Sequence, residues 1–162
     1  MHSSSVRTEI LATAPFPSRT ALDERFAVHR LYEAADADAF LRAVGPRVRG
    51  VAFGGRLRVD DAFMDRLPAL EIVANFGVGY DRVDAAAAAR RGVMVTNTPD
   101  VLTEEVADLT IGLLVATVRR LPEADRFVRA GLWEKGPFPL TGSLRGRTVG
   151  IVGLGRIGRA VA

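Results

Sequence analysis

The chain has 162 residues, 48% hydrophobic and 25% charged, a globular composition with room for one ordinary domain, or a small domain and part of another. It has no cysteine, which excludes disulfides and thiolate metal sites and suits a reducing cytoplasm. The net charge of +3 comes from 22 basic residues, all arginine except Lys135, scattered among acids without a basic stripe, so nucleic acid is not an expected partner.

Met1 to Ser5 is polar and short, with no apolar run behind it that could serve as a signal peptide. The longest apolar stretch, Leu109 to Val118, is about half of what a membrane span needs. A soluble, cytoplasmic protein with no membrane partner is expected. Glu9 to Ala14 reads as a short apolar strand broken by Pro15-Phe16-Pro17-Ser18, and Thr20 to Phe26 as a helix. Val28 to Tyr32 alternates as a strand, and Ala35 to Val44 is helical until Gly45-Pro46. Val48 to Phe53 is the next strand, ended by Gly54-Gly55. Asp60 to Leu67 is a helix with Asp60 or Asp61 available as N-cap. Leu70 to Phe76 runs as a strand into Gly77-Val78-Gly79. Val83 to Arg91 is an alanine-rich helix that Gly92 can close, and Val93 to Thr96 is a fifth strand. Five strands alternating with four helices predict an α/β fold for residues 1–99: a flavodoxin-like parallel sheet covered on both faces.

A boundary follows at Asn97-Thr98-Pro99-Asp100. Thr103 is placed to cap a helix whose first turn holds Glu104 and Glu105, complementing the helix dipole. Leu102, Val106, Leu109, Ile111, Leu113, Leu114 and Val118 predict that this helix is broadly buried, with Arg119 and Arg120 at its end. Pro122 suits the first position of a second helix running through Arg129 to Gly131. Gly136, Pro137 and Pro139 mark a loop. Thr148 to Val152 then reads as an apolar strand, followed by Gly153-Leu154-Gly155-Arg156-Ile157-Gly158 and a helical Arg159 to Ala162.

A G-x-G-x-x-G motif is weak alone, but here a strand precedes it and a helix begins within it. Gly153 would allow the tight turn, Gly155 would let backbone approach a pyrophosphate, and Gly158 would let helix and strand pack closely. The helix-start N–H groups would face the phosphates. The alternative is a purely structural turn between strand and helix. Gly77 and Gly79 leave the same choice open between a simple turn and a ligand-binding loop.

Several segments, in order, resemble the D-isomer-specific 2-hydroxyacid dehydrogenase family. These are Gly77-Val78-Gly79-Tyr80-Asp81-Arg82-Val83-Asp84, then Arg91 to Pro99, Val101-Leu102-Thr103 with Ala107-Asp108, and Arg129-Ala130-Gly131-Leu132-Trp133. Leu144 to Gly150 then leads into the glycine motif. The resemblance covers roughly Val51 to Ala162, and Thr98-Pro99-Asp100-Val101-Leu102-Thr103 looks most like the glyoxylate/hydroxypyruvate reductases. It implies an oxidoreductase that moves hydride between NAD or NADP and a small 2-keto or 2-hydroxy acid. Residues 1–99 would be the N-terminal part of the substrate (catalytic) domain and 100–162 the beginning of a truncated NAD(P)-binding Rossmann domain. The N–H groups of Val78 and Gly79 would hold the substrate carboxylate. Val78 and Thr103 would lie near the nicotinamide, and Gly153, Gly155, Arg156, Ile157 and Gly158 would serve the pyrophosphate. The helix from Thr103 would contribute to a homodimer, and Trp133 would pack in the domain crossover. Asp81, Asp84 and Asp100 look like turn and cap residues.

The family's catalytic histidine, its acidic partner and its substrate-binding arginine lie in the later half of family chains. Here the histidines are His2 and His29, neither at the family's position, so no catalytic residue and no metal site is assigned. A truncated enzyme, inactive and marginally stable alone, is the first expectation. A non-catalytic binding or dimerisation module is the alternative.

Overall fold

The structure, a computed structural model, describes residues 7–162; the expectation for Met1 to Ser5 falls outside the described residues, and so does His2. The chain forms two compact units, Met1–Pro99 and Asp100–Ala162.

The first unit is a five-stranded sheet of β1 (Glu9–Ala12), β2 (Ala27–Arg30), β3 (Gly50–Phe53), β4 (Ile72–Asn75) and β5 (Met94–Thr96). Every pairing is parallel and the spatial order is β2-β1-β3-β4-β5. The strands are shorter than their apolar runs because each ends where its ladder partners end. Helices α1 (Arg19–Arg25), α2 (Ala37–Val44), α3 (Asp61–Asp65) and α4 (Ala85–Arg90) make the connections.

Strand alternation sorts the side chains onto two faces. Leu11, Val51 and Val73 stand in register across β1, β3 and β4 and are buried. They pack against Leu41 and Val44 of α2, Phe63 and Met64 of α3, and Ala87 and Ala88 of α4. The opposite face, presented by Ile10, Gly50, Ile72 and Ala74, meets Leu22 of α1 and Phe26, the C-cap of that helix. An open hollow of about 380 Å³ remains beside them. The expected cover on both faces is thus thick on one side and thin on the other.

The helices begin where an acid accepts free N–H groups. Asp36 bonds the N–H of Asp38 and Ala39, Asp60 that of Phe63, and Asp84 that of Ala87. Gly92 closes α4 in the left-handed region, at φ 70°. Near the start of the sheet Glu9 joins two elements: His29 Nε2 donates to its Oε2 at 2.7 Å, and Arg47 Nε to its Oε1 at 2.9 Å.

The second unit contains α5 (Thr103–Val118), α6 (Leu121–Arg129) and α7 (Arg156–Val161). It corrects several expectations. The N-cap of α5 is Leu102, so Thr103 occupies the first helical position and does not cap; Glu104 and Glu105 remain to complement the dipole. Pro122 is the second residue of α6 rather than its first. Within α5 only Ala107 is buried, while Leu109 and Leu113 are 60% and 58% exposed. Thr148 to Val152 makes no ladder with any described residue, because a strand exists only by pairing and this unit supplies no partner strand. Trp133 lies in a 3₁₀ turn, Leu132–Lys135, and is exposed, not packed in a core. The unit is held instead by α5 against α7 and by Phe127 edge-on to Phe138 at 5.3 Å, with Arg120 over the Phe138 ring.

The Glu9 carboxyl is held below its ordinary range, first by the hydrogen bond from His29 and then by that from Arg47. A depressed folded pKa contributes stability above the unfolded value that is lost as pH falls through the folded one. Glu9→Gln is therefore expected to flatten the acid limb of the stability curve, as urea melts at a series of acid pH values would measure.

Candidate functional site

In a parallel sheet the carboxyl ends of all strands share one edge, and ligands of such folds bind outside that edge. Here β4 ends at Asn75 and opens into Phe76-Gly77-Val78-Gly79. The carbonyls of Gly77, Val78 and Gly79 each have a donor. The Asn75 side-chain amide donates to Gly77 O at 3.0 Å and to Gly79 O at 2.9 Å. Asn97 Nδ2 donates to Val78 O at 2.8 Å, and the Thr98 N–H gives Gly77 O a second bond at 3.0 Å. The N–H groups of Val78 and Gly79 form no hydrogen bond among the described residues. Two consecutive N–H groups left without an internal partner form a notch able to donate to a small anion. A Cβ on Gly79 would come within 3.2 Å of Asp81 Oδ2, so a side chain there crowds the notch. Beside the loop lies a hollow of about 210 Å³, lined by Phe16, Ala74, Asn75, Phe76, Thr96 and Asn97 among others.

The second unit carries the glycine motif as one tight turn. Gly153 is left-handed at φ 96°. A Cβ on Gly158 would meet Gly153 O at 2.1 Å, so this glycine is fixed by close backbone packing. Gly155 differs: its backbone is extended and nothing lies within 4 Å of where a Cβ would stand. No internal contact requires glycine there, and the open space is what a closely approaching pyrophosphate needs. Arg156 and Ile157 open α7, and Arg156 Nε lies 2.6 Å from Asp100 Oδ1. Asp100 has a left-handed φ of 68°, Asp84 is a cap and Asp81 flanks the glycine loop. Thr103 heads α5, the helix that packs against α7.

Val78 and Gly79 therefore share one notch in the first unit, while Gly153, Gly155, Arg156, Ile157 and Gly158 share one turn in the second. His29 is apart from the notch. Its partner Glu9 is the first residue of β1, at the amino ends of the strands, whereas the notch follows the carboxyl end of β4. No group of three or more metal-ligating side chains occurs among the described residues. Asn75 and Asn97 were not singled out from the sequence. The available signal was an asparagine closing the apolar run Ile72-Val73-Ala74 just before two glycines.

An α/β unit with its notch at the carboxyl edge is thus followed in sequence by a glycine turn leading into a helix. Residues 11–153 match the family D-isomer specific 2-hydroxyacid dehydrogenase, catalytic domain, and the chain belongs to that family. It is 43% identical over 155 residues to a glyoxylate/hydroxypyruvate reductase A of Arabidopsis thaliana, covering 94% of this chain and 50% of the relative. It is 48% identical over 141 residues to a hydroxyphenylpyruvate reductase of Plectranthus scutellarioides, covering 87% and 45%. Among solved structures, an NADPH-dependent glyoxylate/hydroxypyruvate reductase from Sinorhizobium meliloti, in complex with NADP and malonate, aligns at 53% identity and TM-score 0.83 over 96% of this chain and 49% of that one. A 2-hydroxyacid dehydrogenase from Ketogulonicigenium vulgare Y25 aligns at 44% identity and TM-score 0.85 over 97% and 50%. The chain thus spans about half the length of the curated relatives it matches.

The close packing at Gly158 gives a direct check. Gly158→Ala must displace the Gly153 carbonyl, and overpacking of this kind costs about 1–3 kcal/mol. Amide exchange should accelerate in α7 and in the turn while the sheet amides keep their protection; unchanged exchange in α7 would contradict the packing described.

Proposed function

We propose that this chain supplies the carboxylate-binding and pyrophosphate-binding elements of an NAD- or NADP-dependent 2-hydroxyacid dehydrogenase acting on a small 2-keto acid of the glyoxylate or hydroxypyruvate type. The observation that carries this is the pair of free N–H groups on Val78 and Gly79 beside the bonded carbonyls of Gly77, Val78 and Gly79. Residues 1–99 act as the N-terminal part of the substrate domain and residues 100–162 as the beginning of the dinucleotide-binding domain.

The nicotinamide, when bound, supplies or accepts the hydride. The chain's own residues bind and orient. Val78 and Gly79 fix the carboxylate and so set which carbon of the keto acid faces the ring, an entropic contribution to rate. Gly155, with Gly153 and Gly158, lets the backbone N–H groups at the start of α7, including Arg156 and Ile157, meet the pyrophosphate. Val78 and Thr103 are assigned to the nicotinamide end. The proton that completes reduction of the keto oxygen has no donor assigned among the described residues, since His29 is bonded to Glu9.

Exposed Leu109 and Leu113, one turn apart on α5, support a homodimer formed through this helix. A cysteine-free sequence supports a cytoplasmic setting, and scattered arginines paired with acids support a small-molecule rather than a nucleic-acid partner. No helix among the described residues is long and apolar enough to cross a membrane.

Titration with NADH and NADPH, followed by nucleotide fluorescence, tests the dinucleotide role. Saturable binding of at least one is expected. Gly155→Ala should weaken it about tenfold or more at an unchanged melting temperature, because its Cβ fills only the space left for the ligand. Failure of both nucleotides to saturate, or equal binding by the variant, would contradict the assignment.

A further inference from the structure

Asn75 is the one buried polar side chain among the described residues, 6% exposed. It closes β4 on the same face as Val73, where an aliphatic residue would extend the apolar row without any desolvation cost. Both N–H donors of its amide are instead engaged. Both acceptors are carbonyl oxygens, so both bonds require N–H, and the single Nδ2 group supplies its two hydrogens to Gly77 O and Gly79 O. These carbonyls flank Val78. Fixing them fixes the planes of the peptides that follow Gly77 and Gly79, and Asn97 holds the one between them through Val78 O. The Val78 and Gly79 N–H groups belong to the first and second of these three planes, and both are left without an internal partner.

We propose that Asn75 is a positioning residue for substrate: its buried amide locks the glycine loop so that the Val78 and Gly79 N–H groups face the carboxylate before it arrives. The loop is flanked by glycines with wide backbone freedom, and without the amide it would have to be ordered upon binding. The proposal rests on the carboxylate-binding role of Val78 and Gly79. It adds that the specificity of this notch for an anion is set from beneath, by a neutral donor that makes no contact with the ligand.

The test uses malonate as the probe carboxylate and the amide resonances of Val78 and Gly79 in the ¹⁵N-labelled chain. Asn75→Asp keeps the shape but turns oxygen toward both carbonyls, and should weaken malonate binding about tenfold or more. Asn75→Ser retains at most one donor and should weaken it by a smaller factor, about threefold; it decides the matter if the aspartate variant does not fold. In folded variants the changed resonances should be confined to residues 76–80 and their hydrogen-bond partners. A role limited to stability would lower the melting temperature and leave the malonate Kd of the folded chain unmoved, which overturns the proposal. A wild-type chain whose Val78 and Gly79 amides ignore malonate overturns the carboxylate-binding function itself, and this proposal with it.

Discussion

Everything in the first unit depends on the parallel register of β1, β3 and β4 about the buried row Leu11, Val51 and Val73. Burying these three side chains against α2, α3 and α4 is favourable only if the strands run the same way and in step. That single condition gathers the carboxyl ends on one edge. It places Asn75 at the rim of the core and the Gly77-Val78-Gly79 loop just outside it. The same register puts Glu9 and its bond to His29 near the opposite edge, where it ties β1 to β2 and to Arg47 and has no access to the glycine loop.

The two glycine loops solve the same problem by different means. In the proposed function each presents backbone N–H groups outward while keeping its shape. In the first, side-chain amides of Asn75 and Asn97 bind the carbonyls. In the second, backbone packs on backbone: Gly158 touches the Gly153 carbonyl, and any side chain would force them apart. A glycine loop anchored by side chains is tuned by substitution next to it, whereas one anchored by contact is tuned hardly at all.

Much of the first unit was legible because its signals are local. Apolar runs of strand length, Asp60 and Asp84 at helix starts, and Gly92 after one each act within a few residues, whereas Asp36, expected inside its helix, is the N-cap. What was not legible depends on distant partners. Thr148 to Val152 has the composition of a buried strand but no neighbour to pair with among the described residues, and Val152 is wholly exposed. The apolar periodicity of α5 predicts burial, yet burial belongs to whatever covers the face, and Leu109 and Leu113 have little cover here. Trp133 misled for the same reason, since size and hydrophobicity do not specify a contact. Thr103 failed as a cap by one residue, the ordinary uncertainty of a helix start. The glycines of both loops could be read from spacing. Asn75 could not, because its importance lies in which carbonyls the fold brings to its amide.

The central proposal is that two loops of this chain bind anions, while His29 is bonded to Glu9 at the other end of the strands and is not placed to complete reduction. The most direct measurement follows NADPH and NADH oxidation by the purified chain at saturating glyoxylate and hydroxypyruvate. The account predicts no rate above the protein-free control. Steady turnover that scales with protein concentration would contradict it, and would require a catalytic group in the chain that the structure has not placed at the notch.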